Sequence, residues 1–239
     1  MRINLLFLYL PLLFFLSCGK DPSTLPAKVN MNFGMIPLGQ EESLKEASLD
    51  NNGENGVYLS ITDGTLVINR IDFEGRRESA EDVFFTAHFD PPIIVDLGEG
   101  SSSRYVQFDI PQGVFERMEF IFHLGAPGHL PLVMTGVANL PQFGEKLIRF
   151  EYQYPEPIST IAQSPEENTI VLKKDVVSTA SVLIDAEKLF RLVNIGLLVS
   201  SEVSNPTQGE TIVINQDMNS PIFNVVANRL SQSLEVIIE

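Results

Sequence analysis

The chain has 239 residues, 44% of them hydrophobic, a size and apolar content that fit one large or two small folded domains and exclude a disordered chain. Its 31 acidic against 16 basic residues give a formal charge of -15, so nucleic acid would be repelled over most of the surface. A single cysteine leaves no internal disulfide and no cysteine-built zinc or iron–sulfur centre.

Residues 1–17, MRINLLFLYLPLLFFLS, place Arg2 ahead of an apolar run from Leu5 to Leu16 broken only by Pro11. This is the layout of a secretory signal; at ~12 residues and ~1.5 Å per residue the run is too short for the ~30 Å hydrocarbon core. Leu16-Ser17-Cys18-Gly19 follows, with a small residue before the sole cysteine. The combination resembles a bacterial lipobox, although Phe15 stands where the commonest version has Leu. The resemblance implies a lipoprotein signal peptide over 1–17, cleavage before Cys18 and acylation of its sulfur, which would hold the domain on a leaflet. Cleavage also removes Arg2 and leaves the remainder more acidic. Gly19 in place of Asp after the cysteine favours the outer membrane. Lys20-Asp21 is loosely similar to charged surface-export signals, so the expected location is an outer-membrane lipoprotein facing the periplasm or exposed at the cell surface.

Residues 18–26 form a polar, proline-containing tether. From Ala27 the pattern switches to period two, with Val29, Met31, Phe33 and Met35 on one face, the mark of a half-buried strand. Gln40–Gly56 is charged and ends in a concentration of turn formers. The oxygen-bearing side chains of Asp50–Gly56 begin as a calcium loop does, but the register fails because Ile61 stands at the twelfth position. Further strands are predicted near Val57–Ile61, Thr65–Phe73, Val83–Phe89, Ile93–Leu97, Tyr105–Ile110, Arg117–Leu124, Leu132–Gly136, Lys146–Tyr154, Thr169–Leu172 and Val176–Ile184. Met118, Phe120, Phe122 and Leu124 share one face of their strand, as do Ile148, Phe150, Tyr152 and Tyr154, and such faces must be covered. Short strands separated by turns indicate a β-sandwich or barrel and disfavour a parallel α/β sheet. Asp185 can cap a helix over Ala186–Asn194, Ser220-Pro221 can start another, and Leu234–Ile238 reads as a closing strand. These one or two short C-terminal helices are expected to plug an end or edge of the sheets. The reading is one mainly β, antiparallel sandwich over residues 27–239, with Pro155–Asn168 as the only sub-boundary.

Chemistry-bearing motifs are sparse. The sequence holds no G-x-S-x-G, no H-E-x-x-H, no Walker-type loop and no dinucleotide fingerprint. His88, His123 and His129 could in principle converge on zinc or copper, but no ligand spacing links them, so no metal and no cofactor is expected. Tyr152 and Tyr154 could stack on sugar rings, yet they continue the apolar face of Ile148 and Phe150, and the absence of Trp weakens a glycan platform further. Paired carboxylates for glycoside hydrolysis need a spatial separation that sequence does not reveal. The edge of a strand such as Thr65–Phe73 could accept a partner strand.

Val106–Phe120, VQFDIPQGVFERMEF, and Gly64–Gly75, GTLVINRIDFEG, together resemble the strand, Pro-x-Gly turn, aromatic, strand element of uncharacterised envelope lipoproteins of Bacteroidota. The similarity covers about residues 57–185. It implies an Ig-like or transthyretin-like domain with no catalytic residues to carry over. The functional expectation is a non-enzymatic, lipid-anchored binding or accessory protein, held to the membrane through Cys18, with a glycan or protein partner and no nucleic acid. The alternatives are a fimbrillin-like structural adhesin subunit and a small-ligand or metal-binding envelope protein.

Overall fold

The computed structural model describes residues 24–39, 58–98, 106–165, 169–204 and 209–239; Cys18, the signal segment and the Asp50–Gly56 loop lie outside them. The strands are β1 (Pro26–Ile36), β2 (Leu59–Arg77), β3 (Val83–Asp96), β4 (Val106–Pro111), β5 (Gly113–Leu124) and β6 (Leu132–Leu140). They continue as β7 (Gly144–Tyr152), β8 (Ile158–Ile161), β9 (Ile170–Leu172), β10 (Ser178–Asp185), β11 (Thr211–Ile214) and β12 (Leu234–Ile238). Among the described residues four short helices, α1 (Ala186–Phe190), α2 (Ile195–Val199), α3 (Ser220–Ala227) and α4 (Leu230–Ser233), follow β10.

The strands form the two sheets of the expected β-sandwich class. One is four-stranded, in the order β12-β10-β1-β4. The other links eight strands as β11-β7-β6-β2-β5-β8, with β3 on β2 and β9 on β5. The pairs β1–β10 and β7–β11 run parallel and the remaining ladders antiparallel.

Register reduces the large sheet to a few long ribbons. Residues Thr65 and Leu66 pair with both β3 and β6, and Ile68 and Arg70–Gly75 pair with both β3 and β5. A strand has two edges, so β5 and β6 must share the edge of β2 opposite β3. They run along it end to end, with the Gly125–Pro131 excursion held at Val67 by Gly125 N–H donating to Val67 O and Val67 N–H donating to Pro131 O. The outer edge of this β5–β6 ribbon is covered in the same way by β7, β8 and β9 in succession.

Bulges allow β2 to be this long. Its core-facing apolar positions run Leu59 and Ile61, then Leu66 and Ile68, then Ile71 and Phe73, while Val67 is buried outside the core cluster. The alternation changes phase at the register shifts between Ile61 and Asp63 and between Ile68 and Arg70. Each inserted residue restores the inward face after the strand has twisted, so one strand occupies the place of the two predicted at Val57–Ile61 and Thr65–Phe73. Asn69, at the second bulge, donates its side-chain N–H to Gly125 O at 2.6 Å and thereby supports the excursion. Likewise β3 joins the predicted Val83–Phe89 and Ile93–Leu97.

The core lies between the sheets. Phe33 of β1 meets Phe122 of β5 edge-on at 6.3 Å, and Phe85 of β3 meets Phe108 of β4 at 5.4 Å, so aromatic contacts tie the layers. Phe73, Phe120, Met118 and Phe115 are fully buried between these points, as the alternation of β5 predicts. The sheets are also stitched at one margin: Gln163 N–H donates to Val236 O and Ile238 N–H donates to Gln163 O, which covers the outer edge of β12. Residues 155–165, read from sequence as a boundary segment, thus contribute β8 to one sheet and this bridge to the other.

The helices cover the β7 part of the core, with Phe190 of α1 and Phe223 of α3 packed on Phe150 at 5.7 and 5.9 Å. Asp185 caps α1 as expected, accepting from Lys188 N–H at 2.9 Å. The helix ends at Phe190, short of the predicted Asn194, because Asn194 instead accepts from Leu197 N–H at 3.0 Å and caps α2. Helix α3 begins at Ser220 with Pro221 in its first turn, but its cap residue is Asn219 rather than Ser220. Asn219 adopts φ 56° and bonds the backbone of Glu202 and Val213, so tertiary contacts set that boundary.

Candidate functional site

Strands β3, β2, β5 and β8 turn their polar side chains to solvent on the outer face of the large sheet. Register places His88, Arg70 and His123 in one cross-strand row and Thr86, Asp72, Ile121 and Ser159 in the next. Neighbours in such rows are close enough for their side chains to interact. His123 reaches diagonally to Asp72, with Nε2 2.7 Å from Oδ2, and the network assigns the Nε2 proton to this bond. Arg70 Nη2 sits against the same ring, 2.7 Å from Nε2 and 3.1 Å from Nδ1, and lies 3.3 Å from Asp72 Oδ2. Thr86 donates its hydroxyl to Asp72 Oδ1 at 2.8 Å.

Desolvation pushes the Asp72 carboxyl upward. The hydrogen bonds from Thr86 and His123 and the charge of Arg70 together outweigh it and hold the carboxyl below its ordinary 3.8. An Asp–His pair is half of a nucleophile-activating arrangement, but here the side of the imidazole that would receive a hydroxyl proton is taken by a guanidinium. The cluster is a charge-paired patch on the outer face.

The predicted metal candidates do not converge. His88 stands across from Arg70, so the cation separates it from His123, while His129 lies in the turn after β5, donating its backbone N–H to Ala126 O. Among the described residues no group of three or more His, Cys, Asp or Glu side chains could hold a metal ion.

Tyr152 is only 6% exposed and Tyr154 half-buried. Tyr152 meets Tyr154 at 5.7 Å and Phe223 at 6.4 Å, and Tyr154 meets Phe223 at 5.8 Å. The predicted stacking candidates thus spend their ring surfaces on each other and on α3, in line with the core role their alternation indicates. Burial, reinforced by Glu156 and by Tyr154, raises the Tyr152 hydroxyl above its ordinary value.

Beside them, Glu151 accepts from Arg149 Nε at 2.6 Å and from Asn215 Nδ2 at 3.0 Å. Burial alone would raise this carboxyl, and the two donors and the Arg149 charge bring it below 4.5. Asn215 also accepts from the backbone N–H of Asp217 and Met218, so it fastens the turn after β11 to β7. The only signal of this role in the sequence is the turn chemistry of Asn215–Asn219, which does not name the strand it meets.

Two spaces lie among the described residues. A void of about 10 Å³ lies between the sheets, walled by Leu66, Phe122, Ile158, Val182 and Leu230 among others, and is far too small for an organic ligand. A more open groove of about 290 Å³ lies at the end of the sandwich where the chain enters, with Ala80, Val114, Val171 and Leu172 as its apolar wall and Arg77 and Glu78 at its rim. The fold and its surface define a mainly β, two-sheet protein with a charge-paired outer face. Comparison with protein-family models, with curated proteins and with solved structures finds no match.

Proposed function

We propose that the protein is an envelope lipoprotein of the Bacteroidota type, anchored to the outer membrane through acylated Cys18, whose sandwich acts without catalysis as an extracytoplasmic binding or accessory module. The observation that carries the reading is the sole cysteine, placed directly after a leader-length apolar run and only eight positions before the first strand begins at Pro26. The charge of -15 supports it, because a strongly acidic body stays soluble in an aqueous compartment and needs a covalent anchor to be held at the membrane. The partner is a glycan or protein at the periplasmic or cell surface.

Intact-mass spectrometry of the protein from its native host tests this. Loss of residues 1–17 and a mass increment of several acyl chains on Cys18 are expected, with Cys18→Ala released from the membrane fraction. An unprocessed N-terminus, or a Cys18→Ala protein that remains equally membrane-bound, overturns it.

The edge of β3 favours a second reading as a structural adhesin subunit. Among the described residues β3 pairs only with β2, and Phe84 on it is 64% exposed. Such an edge can accept a strand from another copy, although Pro91 and Pro92 limit the pairing length. Concentration-dependent ladders that resist mild detergent and vanish in Phe84→Lys would establish that reading, and a monomer at all concentrations would eliminate it.

A further inference from the structure

One end of the sandwich is marked by the chain's own entry. Pro26 pairs with Pro111, and Gln112 N–H donates to Leu25 O at 2.8 Å, so the tether joins the body beside the β4–β5 link. The same end gathers the close of β2, the start of β3, the turn between β9 and β10, and the C-terminal Glu239, which exchanges backbone hydrogen bonds with Thr179. Within that turn Val176 and Val177 are each 53% exposed and Val171 just before it is 42% exposed, with Lys173 and Lys174 between them. The groove of about 290 Å³ opens alongside, its wall continuing the apolar surface. Acidic Glu78, Glu81, Asp82, Asp175 and Glu239 surround Arg76, Arg77, Lys173 and Lys174 at this end, with Asp82 and the Glu81 carbonyl bonded to Arg77.

We propose that this end is a membrane-contacting face. Val171, Val176 and Val177 rest in the headgroup region of the leaflet that holds the acyl chains, while Lys173 and Lys174 reach lipid phosphates. The inference rests on the acylation of Cys18 proposed above. Covalent reach carries it: Leu25 is seven positions after Cys18, a span of at most ~25 Å, whereas a strand the length of β2 extends ~60 Å. The entry end is therefore confined near the bilayer while the far end can swing clear. Such confinement gives a high effective concentration, so three half-exposed valines suffice for a contact too weak to hold the soluble domain. The occupant is then the phospholipid surface, and the outer face bearing Arg70, Asp72 and His123 is left to a partner.

The absence of native Trp makes the test direct. Val177→Trp and, at the β6–β7 turn of the opposite end, Phe143→Trp are purified as full-length acylated proteins and reconstituted into phosphatidylethanolamine–phosphatidylglycerol vesicles with and without brominated acyl chains. The position-177 indole is expected to emit further to the blue and to be quenched roughly twofold by bromolipid, and the position-143 indole to be unaffected. Equal quenching at both positions, or none at position 177 in protein whose mass shows the acyl chains, overturns the membrane face and leaves the anchor intact. A blue shift at position 177 that bromolipid does not quench assigns the valines to the tether or a second copy and equally overturns it. A mass without acyl chains overturns the anchor reading itself.

Discussion

The carboxyls of Asp72 and Glu151 show how single side chains couple the outer face to pH. Both have folded values below their ordinary 3.8 and 4.5. Their contribution to stability is therefore complete above those ordinary values and is lost as pH falls through the lower folded ones. Asp72→Asn and Glu151→Gln should each cost about 0–1 kcal/mol at neutral pH, as partly exposed pairs do, and should flatten the fall in Tm on acidification below the ordinary carboxyl range. Thermal melts across acidic pH check this; an unchanged acid limb in the double variant would remove these groups from the account. Gly136 is constrained differently. A Cβ there would lie 1.8 Å from Ser60 O, where β6 crosses the first bulge of β2, so Gly136→Ala should destabilise by about 1–3 kcal/mol in urea unfolding, with an unchanged m value. The alternation of β5 in the sequence foretold that His123 faces solvent. It could not name Asp72 and Arg70 as its neighbours, because those are set by register with β2.

At the scale of elements, period two was sufficient to identify the buried faces of β1, β5 and β7, since a strand with one covered face writes that face into alternate residues. It misled at β2, where Leu59 and Ile61 are out of phase with Leu66 and Ile68 because an extra residue sits at the first bulge. Local pattern reads such a phase change as the end of one strand and the start of another. The four-residue strands β8 and β11 were not predicted and pair along the edges that β5 and β7 offer them. The closing strand β12 was legible, and its role is larger than its length. Leu234, Val236 and Ile238 are buried, and its two edges bind β10 and Gln163. Truncation before Leu234 should remove more than the ~5–15 kcal/mol that holds a typical domain and give a protein without near-UV circular dichroism, whereas Glu239 alone should be dispensable. A truncated chain that kept a cooperative melt would show β12 to be peripheral.

For the whole molecule, the decisive pairings join distant parts of the chain. Val29 of β1 pairs in parallel with Ser178 of β10, and residues after β8 bridge to the last strand, so neither half can complete its sheet alone. Unfolding should therefore follow one transition, coincident by tyrosine fluorescence and far-UV circular dichroism, and two separated transitions would instead mark a boundary near Pro155–Asn168. The sequence by itself determined the class: many short amphipathic strands, a leader-like apolar run ending at Cys18 and a strongly acidic body are local or compositional properties, readable residue by residue. Only the tertiary structure decided which strands meet, that Tyr152 and Tyr154 are spent on each other and on α3, that a guanidinium separates His88 from His123, and which end of the sandwich the tether enters. These depend on register and long-range contact, and the free energy of strand pairing lies between residues far apart in the chain, where no local pattern records it.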